Sequence, residues 1–125
     1  MLVDDEEDLA HLMKEGLELS GSFEVDIFND SGKALLEFRP NKYDLILVDI
    51  LMPNVNGFDF YKLIKEKDVT SKICFISAAE YDEEDIKNKL ALLEIQNQKT
   101  VLIRKPIRLK ELFRQVSKII NENTE

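Results

Sequence analysis

Five polar side chains stand immediately after short apolar segments of the sequence: Asp4, Asp5, Asp49, Ser77 and Lys105. At Asp49, four apolar residues end abruptly in a carboxylate, and a turn follows that closes at Gly57. An aspartate after a strand is usually a turn former or a helix cap. The recurrence of polar groups after several apolar segments favours a shared site instead.

Short apolar runs of this kind are typical of strands that are buried on both faces of a parallel sheet. The carboxyl ends of parallel strands meet at one edge, so we expect the five side chains to lie together there. Three carboxylates at that edge would repel one another and raise each other's pKa unless a cation lay among them. Oxygen ligands without a nearby histidine or thiolate favour Mg²⁺, or Mn²⁺ in its place. For Asp4 and Asp5 alone, a capped helix start is an equally good interpretation.

A Mg²⁺ ion held by few protein ligands keeps coordination positions open for phosphate oxygens. Asp49 can then act as the nucleophile toward phosphorus and form an acyl phosphate. Lys105 would supply a point charge for the phosphoryl oxygens, and Ser77 a hydroxyl donor. Alone, each of these two would be a solvated lysine or a turn hydroxyl. Together the five residues predict phosphoryl transfer.

Strand and helix patterns alternate five times along the chain. The predicted strands cover 1–3, 23–27, 45–49, 73–77 and 101–103. The predicted helices cover 9–20, 30–39, 57–67, 82–93 and 109–120, and the last has the clearest apolar stripe. This alternation predicts an α/β fold with a parallel sheet and helices on both faces.

Length and composition limit the classes of function. With 125 residues the chain suits one domain, and a net charge of −8 argues against binding nucleic acid or anionic membranes. We find no apolar run near about 18 residues and no signal peptide, so a cytoplasmic location is expected. Cys74 lies inside an apolar run and is interpreted as a small buried hydrophobe.

The order and spacing of four short motifs resemble the receiver domain of two-component response regulators. The motifs are Val3-Asp4-Asp5-Glu6, Val48-Asp49-Ile50-Leu51-Met52-Pro53 with Gly57, Ser77-Ala78 and Lys105-Pro106. The resemblance implies a flavodoxin-like, doubly wound fold with strand order 2-1-3-4-5. It also implies a single receiver domain over residues 1–125, with no output domain in this chain.

In mechanism, the resemblance implies that Asp49 accepts a phosphoryl group from a sensor histidine kinase or phosphotransfer protein, with the receiver catalysing its own phosphorylation and dephosphorylation. Mg²⁺ would be bound by Asp5, by Asp4 through water, by Asp49, and by the backbone carbonyl of Leu51. A cis peptide is expected at Lys105-Pro106. The implied partners are that kinase and an unknown downstream protein, and a phosphorylation-dependent dimer is compatible with this reading.

Two departures from the family pattern bear on signalling. Leu102 stands where a switch tyrosine or phenylalanine is usual, and Gln96 to Lys99 occupy a region that often contains Gly-Ala. Leu51 and Ala79 flank the expected approach of water to the acyl phosphate. Neither side chain can orient a water molecule, which predicts slow hydrolysis.

Two other classes of protein can be weighed against this one. A haloacid-dehalogenase-type phosphatase needs a second aspartate two residues after the nucleophile, and Leu51 stands there. A pseudo-receiver that acts only as a protein-interaction module is the remaining alternative. The complete set of five polar residues argues against it, and labelling with a small phosphodonor would decide.

Overall fold

The computed structural model describes residues 1–68, 70–78, 82–92 and 101–121, in which strand and helix alternate five times as predicted. The strands are β1 (Leu2–Val3), β2 (Ile27–Phe28), β3 (Leu45–Asp49), β4 (Lys72–Ser77) and β5 (Val101–Arg104). The helices are α1 (Glu7–Leu19), α2 (Ser31–Glu37), α3 (Gly57–Lys67), α4 (Glu83–Leu92) and α5 (Leu109–Asn121). Among the described residues no helix is long and apolar enough to cross a membrane.

The five strands form one parallel sheet in the order β2-β1-β3-β4-β5. This confirms the predicted flavodoxin-like order. The central strand β3 pairs with β1 on one side and β4 on the other, with Val48 aligned to Val3 and to Phe75. All the strands share one direction, so their carboxyl ends form a single edge, here called the carboxyl edge, and their amino ends form the opposite amino edge.

Side chains of β3 alternate between two cores, which explains why the strand is apolar throughout. Ile46 and Val48 pack in the core that is covered by α2, α3 and α4. Leu45 and Leu47 pack in the core on the other face, which α1 and α5 cover. Both faces of β3 are therefore buried, and Asp49 is the first residue of the run that carries a charge.

Strand β2 is shorter than predicted, although its place at the edge of the sheet is confirmed. The alternating pattern predicted a strand from Phe23, but β2 begins at Ile27. The reason is that helix α1 supplies hydrogen bonds to Val25. The Val25 amide donates to Glu18 Oε2 at 2.9 Å, and Lys14 Nζ donates to the Val25 carbonyl at 2.6 Å. These bonds take the place of hydrogen bonds to a neighbouring strand. The backbone at Val25 is therefore held by side chains of α1 rather than by the sheet.

Asp68 closes the amino edge through a dense set of hydrogen bonds. Its Oδ1 accepts from the amide and the hydroxyl of Thr70, at 2.8 and 2.6 Å. Its Oδ2 accepts from the Asn41 amide at 2.8 Å and from Ser71 Oγ at 2.9 Å. The hydrogen bonds from Thr70 and Asn41 hold the pKa of Asp68 well below its usual range. This carboxylate thus joins the loop before β3 to the loop before β4.

Candidate functional site

The five predicted site residues lie at or directly after the carboxyl ends of four strands. Asp4 and Asp5 follow β1, Asp49 ends β3, Ser77 ends β4, and Lys105 follows β5. The parallel pairing of these strands brings the residues to one edge, because all the strands run in the same direction. The five residues, which come from four separate segments of the chain, therefore lie together as the sequence patterns predicted.

Three carboxylates form a compact acidic cluster at this edge. One oxygen from each of Asp4, Asp5 and Asp49 lies within 4.8 Å of the others. Asp4 is fully buried and Asp49 is 2% exposed, whereas Asp5 is exposed. The cluster therefore has a buried floor and one side open to solvent.

Hydrogen bonding leaves the two buried carboxylates only partly satisfied. Asp4 Oδ1 accepts from the Glu6 amide at 2.9 Å, but Asp4 Oδ2 accepts no hydrogen bond from any described residue. Asp49 Oδ1 accepts from the Leu51 amide at the long distance of 3.3 Å. Buried carboxylate oxygens with so few donors are costly unless a cation or a further donor reaches them.

The pKa values of Asp4 and Asp49 are consistent with this small number of hydrogen-bond donors. Burial raises the pKa of Asp49 to about 6, and the neighbouring charge of Asp4 adds to the increase, against the opposing effects of Lys105 and the Leu51 amide. Burial also raises the pKa of Asp4. Crowded carboxylate oxygens, a buried oxygen that accepts no hydrogen bond from the described part of the chain and an open side fit a hard divalent cation such as Mg²⁺. The predicted contribution of the Leu51 carbonyl stays a prediction.

Lys105 is the cationic member of the site. Its Nζ lies 3.1 Å from Asp49 Oδ2, 3.5 Å from Asp4 Oδ2 and 2.5 Å from Glu6 Oε1. Burial lowers the pKa of Lys105, but the bonds to Glu6 and Asp49 outweigh that effect and raise it above its usual value. The ammonium is therefore charged at neutral pH. The Lys105–Pro106 peptide is cis, as predicted.

Ser77 is buried at the end of β4, and its hydroxyl donates to the carbonyl of Ala78 at 3.0 Å. Its own carbonyl accepts from the Lys105 amide at 2.8 Å, which ties the ends of β4 and β5 together. The backbone of Ser77 thus helps to position Lys105. The predicted role of its hydroxyl toward a phosphoryl group stays a prediction.

Gly57 closes the turn after Asp49 by a close backbone approach. The Gly57 amide donates to the Ile50 carbonyl at 2.9 Å. A Cβ at this position would lie 2.7 Å from the Asp49 carbonyl oxygen and 2.9 Å from Ile50 Cα. Since backbone atoms cannot yield as a flexible side chain does, only glycine fits here, and the start of α3 is fastened directly to the end of β3.

Glu6 belongs to the site although no motif assigned it a role. It occupies the N-cap position of α1, where serine, threonine, asparagine and aspartate are preferred. Its side chain caps no amide of α1 and instead reaches Lys105 across the chain. A poor capping residue at a helix start was the available signal, and the long-range partner could not have been inferred from it.

Two predicted positions near the site have different outcomes. Leu102, which stands in place of a switch aromatic residue, is half-buried and packs against the core that α2, α3 and α4 cover. Leu51 is exposed beside Asp49, and its predicted place on the approach path of water stays a prediction. Ala79, the second predicted flanking residue, and Gln96 to Lys99 lie outside the described residues.

Comparison with known proteins identifies the family. The family model described as "Response regulator receiver domain" matches residues 1–117. The response regulator ArlR of Staphylococcus saprophyticus is 29% identical over 125 residues, which is 100% of this chain and 53% of that protein. The transcriptional regulatory protein CpxR of Escherichia coli K12 is 38% identical over 73 residues, or 58% of this chain and 31% of that protein.

Solved structures show the same fold. The receiver domain of the Francisella response regulator 1452 superposes with a TM-score of 0.81 at 22% identity, covering 98% of this chain and 96% of that chain. The non-phosphorylated receiver domain of HemR from Leptospira biflexa gives a TM-score of 0.78 at 29% identity, covering 95% and 90%. The chain spans about half the length of ArlR and a smaller share of CpxR.

Proposed function

This chain belongs to the response regulator receiver domain family of two-component systems, and on that premise we propose that Asp49 accepts a phosphoryl group in a Mg²⁺-dependent reaction. The observation that carries the proposal is the meeting of Asp49 with Lys105 inside the acidic cluster. Lys105 Nζ lies 3.1 Å from Asp49 Oδ2, so a nucleophile and a cation that can neutralise phosphoryl oxygens are already adjacent.

The donor is the phosphohistidine of a sensor histidine kinase or a phosphotransfer protein. An Asp49 carboxylate oxygen attacks phosphorus, and the P–N bond of the donor breaks. The electron pair of that bond leaves with the imidazole nitrogen, which takes up a proton from water. The product on Asp49 is an acyl phosphate.

Each site residue has a part in this proposal. Lys105 holds the phosphoryl oxygens electrostatically, and Ser77 donates its hydroxyl to one of them after turning away from the Ala78 carbonyl. Asp5, Asp4 through water, Asp49 and the Leu51 carbonyl would hold Mg²⁺, for which Mn²⁺ can substitute. When bound, Mg²⁺ supplies positive charge that offsets the repulsion between the phosphate and the three carboxylates.

The proposed partners and the proposed regulatory effect rest on membership of the family and not on the geometry of the site. The proposal treats residues 1–125 as one receiver domain in the cytoplasm, phosphorylated by a kinase and read by an unknown downstream protein. Phosphorylation would change the protein-binding surface and could bring two copies together as a dimer. ArlR and CpxR are named as a response regulator and a transcriptional regulatory protein, which suggests regulation of gene expression as the eventual output.

Labelling with acetyl phosphate and Mg²⁺, followed by intact-protein mass spectrometry, tests the proposal. We expect the wild-type chain to gain one phosphoryl group and Asp49→Asn to gain none. Asp59→Asn, which changes an exposed aspartate in the first turn of α3, should be labelled like the wild type. Full labelling of Asp49→Asn would show that Asp49 is not the phosphorylated residue. An unlabelled wild-type chain would favour a pseudo-receiver that only binds other proteins.

A further inference from the structure

The carboxylate nearest to Lys105 is Glu6 rather than the nucleophile. Lys105 Nζ lies 2.5 Å from Glu6 Oε1, against 3.1 Å from Asp49 Oδ2 and 3.5 Å from Asp4 Oδ2. An ammonium has three N–H donors and no acceptor. The contacts to Glu6 and Asp49 are hydrogen bonds and engage two of the three donors before any phosphoryl oxygen arrives.

The backbone of Glu6 is held where its side chain can reach the ammonium. The Glu6 amide donates to Asp4 Oδ1, and the Glu6 carbonyl accepts from the Ala10 amide in the first turn of α1. The residue is thus fastened between the acidic cluster and the helix. Its side chain performs no capping, so the bond to Lys105 is the one long-range contact described for it.

Exposure separates Glu6 from the other partners of Lys105. The Glu6 side chain is 60% exposed, the Asp4 side chain 0% and the Asp49 side chain 3%. If Lys105 turns toward a new anion, water can solvate the carboxylate of Glu6 at once. The buried carboxylates have no such replacement, so Glu6 is the partner that Lys105 can release most easily.

We propose, building on the phosphorylation proposed above, that Glu6 is a positioning residue that holds Lys105 in the unphosphorylated chain and releases it when Asp49 carries a phosphoryl group. The phosphoryl oxygens replace Glu6 as the ammonium's partner. Glu6 therefore opposes phosphorylation by a modest amount. The released carboxylate then stands without its ion-pair partner at the start of α1, beside the phosphorylated edge.

The first test compares the rate of labelling by acetyl phosphate at saturating Mg²⁺ in two charge-matched variants. Glu6→Gln should be labelled about twofold to fivefold faster than the wild type, the size expected for a partly exposed ion pair. Glu7→Gln removes the same charge one residue later and should change the rate less than twofold. Equal rates in wild type and Glu6→Gln, or equal acceleration by both variants, would overturn the proposal.

The second test follows the Lys105 ammonium itself by NMR of ¹⁵N-labelled protein. In the absence of phosphate, Glu6→Gln should speed hydrogen exchange of the Lys105 ammonium, while Glu7→Gln should not. With Mg²⁺ and beryllofluoride, a stable mimic of the phosphoryl group, wild type and Glu6→Gln should give the same exchange rate. A difference that persists with beryllofluoride would show that Glu6 keeps Lys105 and would refute release.

The two proposals fail separately. If acetyl phosphate does not label the wild type, phosphorylation of Asp49 is wrong, while exchange of the Lys105 ammonium without phosphate still reports on the Glu6 contact. If the wild type is labelled but Glu6→Gln behaves as Glu7→Gln in both measurements, only the role of Glu6 is wrong.

Discussion

Asp49 and Asp68 are both buried aspartates, 2% and 6% exposed, at opposite edges of the same sheet. Asp68 accepts four hydrogen bonds from neighbouring loops, whereas Asp49 accepts one long bond from an amide and one from Lys105. The pKa of Asp68 is lowered, and the pKa of Asp49 is raised to about 6. At Asp49, desolvation by burial and the charge of Asp4 outweigh the few donors. At Asp68, the hydrogen bonds from Thr70 and Asn41 outweigh desolvation.

This contrast separates a carboxylate that stabilises the fold from one that is available for chemistry. Asp68 has its acceptor sites filled by the chain itself, and losing it would leave four donors without their partner. Asp49 is crowded by Asp4 and short of donors, so a cation or a phosphoryl group can improve its surroundings. The following predictions test whether stability and binding are divided between the two edges in this way.

The largest effect is expected from the same substitution made at each edge. Asp68→Asn should lower the free energy of unfolding by about 2–3 kcal/mol, because the amide presents N–H groups to donors that need an acceptor. Asp49→Asn should keep or raise the midpoint of thermal unfolding, since it removes a poorly satisfied buried charge. Circular dichroism during urea and thermal unfolding measures both, and a larger loss in Asp49→Asn would reverse the comparison.

Binding should show the opposite pattern. Asp5→Ala should weaken Mg²⁺ binding at least tenfold, about 1.4 kcal/mol, while thermal stability without metal is kept or raised by relief of carboxylate repulsion. Asp68→Asn is the matched control and should bind Mg²⁺ as the wild type does under conditions where it is folded. The chain has no tryptophan, so isothermal titration calorimetry is the suitable measurement. Unchanged affinity in Asp5→Ala would contradict the proposed metal site.

Acid should narrow the stability difference between the wild type and Asp68→Asn. The pKa of Asp68 is lower in the folded chain than the unfolded value of about 3.9, so its contribution is complete above that value. The contribution is lost as pH falls toward and through the folded pKa. Urea unfolding at several values below about pH 4 should show the difference shrinking by about 1 kcal/mol or more. A constant difference across that range would mean that ionisation of Asp68 is not its source.

The smallest effect concerns the lifetime of the acyl phosphate. Leu51→Asn should speed hydrolysis about threefold, below the ~10²-fold of a well-positioned catalytic group, because it opens the approach and adds a polar atom. Loss of the label after removal of acetyl phosphate measures the rate. Leu63→Asn is the control, since Leu63 is also partly exposed but lies within α3. Equal lifetimes in the wild type and both variants would show that Leu51 does not control water.

Much of the fold could be predicted from periodicity because both faces of the sheet are covered. The bounds of α3, 57 to 67, were predicted correctly from the helical spacing of Phe60, Leu63 and Ile64. The start of β2 was predicted wrongly at Phe23. Period-two alternation shows that a segment has one buried face, but it does not show whether its backbone bonds go to a strand or to the side chains of a neighbouring helix.

The site was predictable as far as its residues stand at strand ends. Asp4, Asp5, Asp49 and Lys105 could be brought together from the topology alone, because a parallel sheet has one carboxyl edge. The Glu6–Lys105 contact joins residues 99 positions apart through two long side chains. No period or motif encodes such a pair, so it required the structure.

The close approach at Gly57 has a consequence for how the chain tolerates mutation. Every other amino acid carries a Cβ, and that atom would meet the carbonyl of Asp49 and Cα of Ile50. Even alanine must therefore displace the backbone that carries the nucleophile. In a scan of all substitutions read out by phosphorylation, position 57 should group with the reactive residues although it has no reactive atom. A protein library built on this scaffold must therefore keep this glycine, whatever it varies in the loop before it.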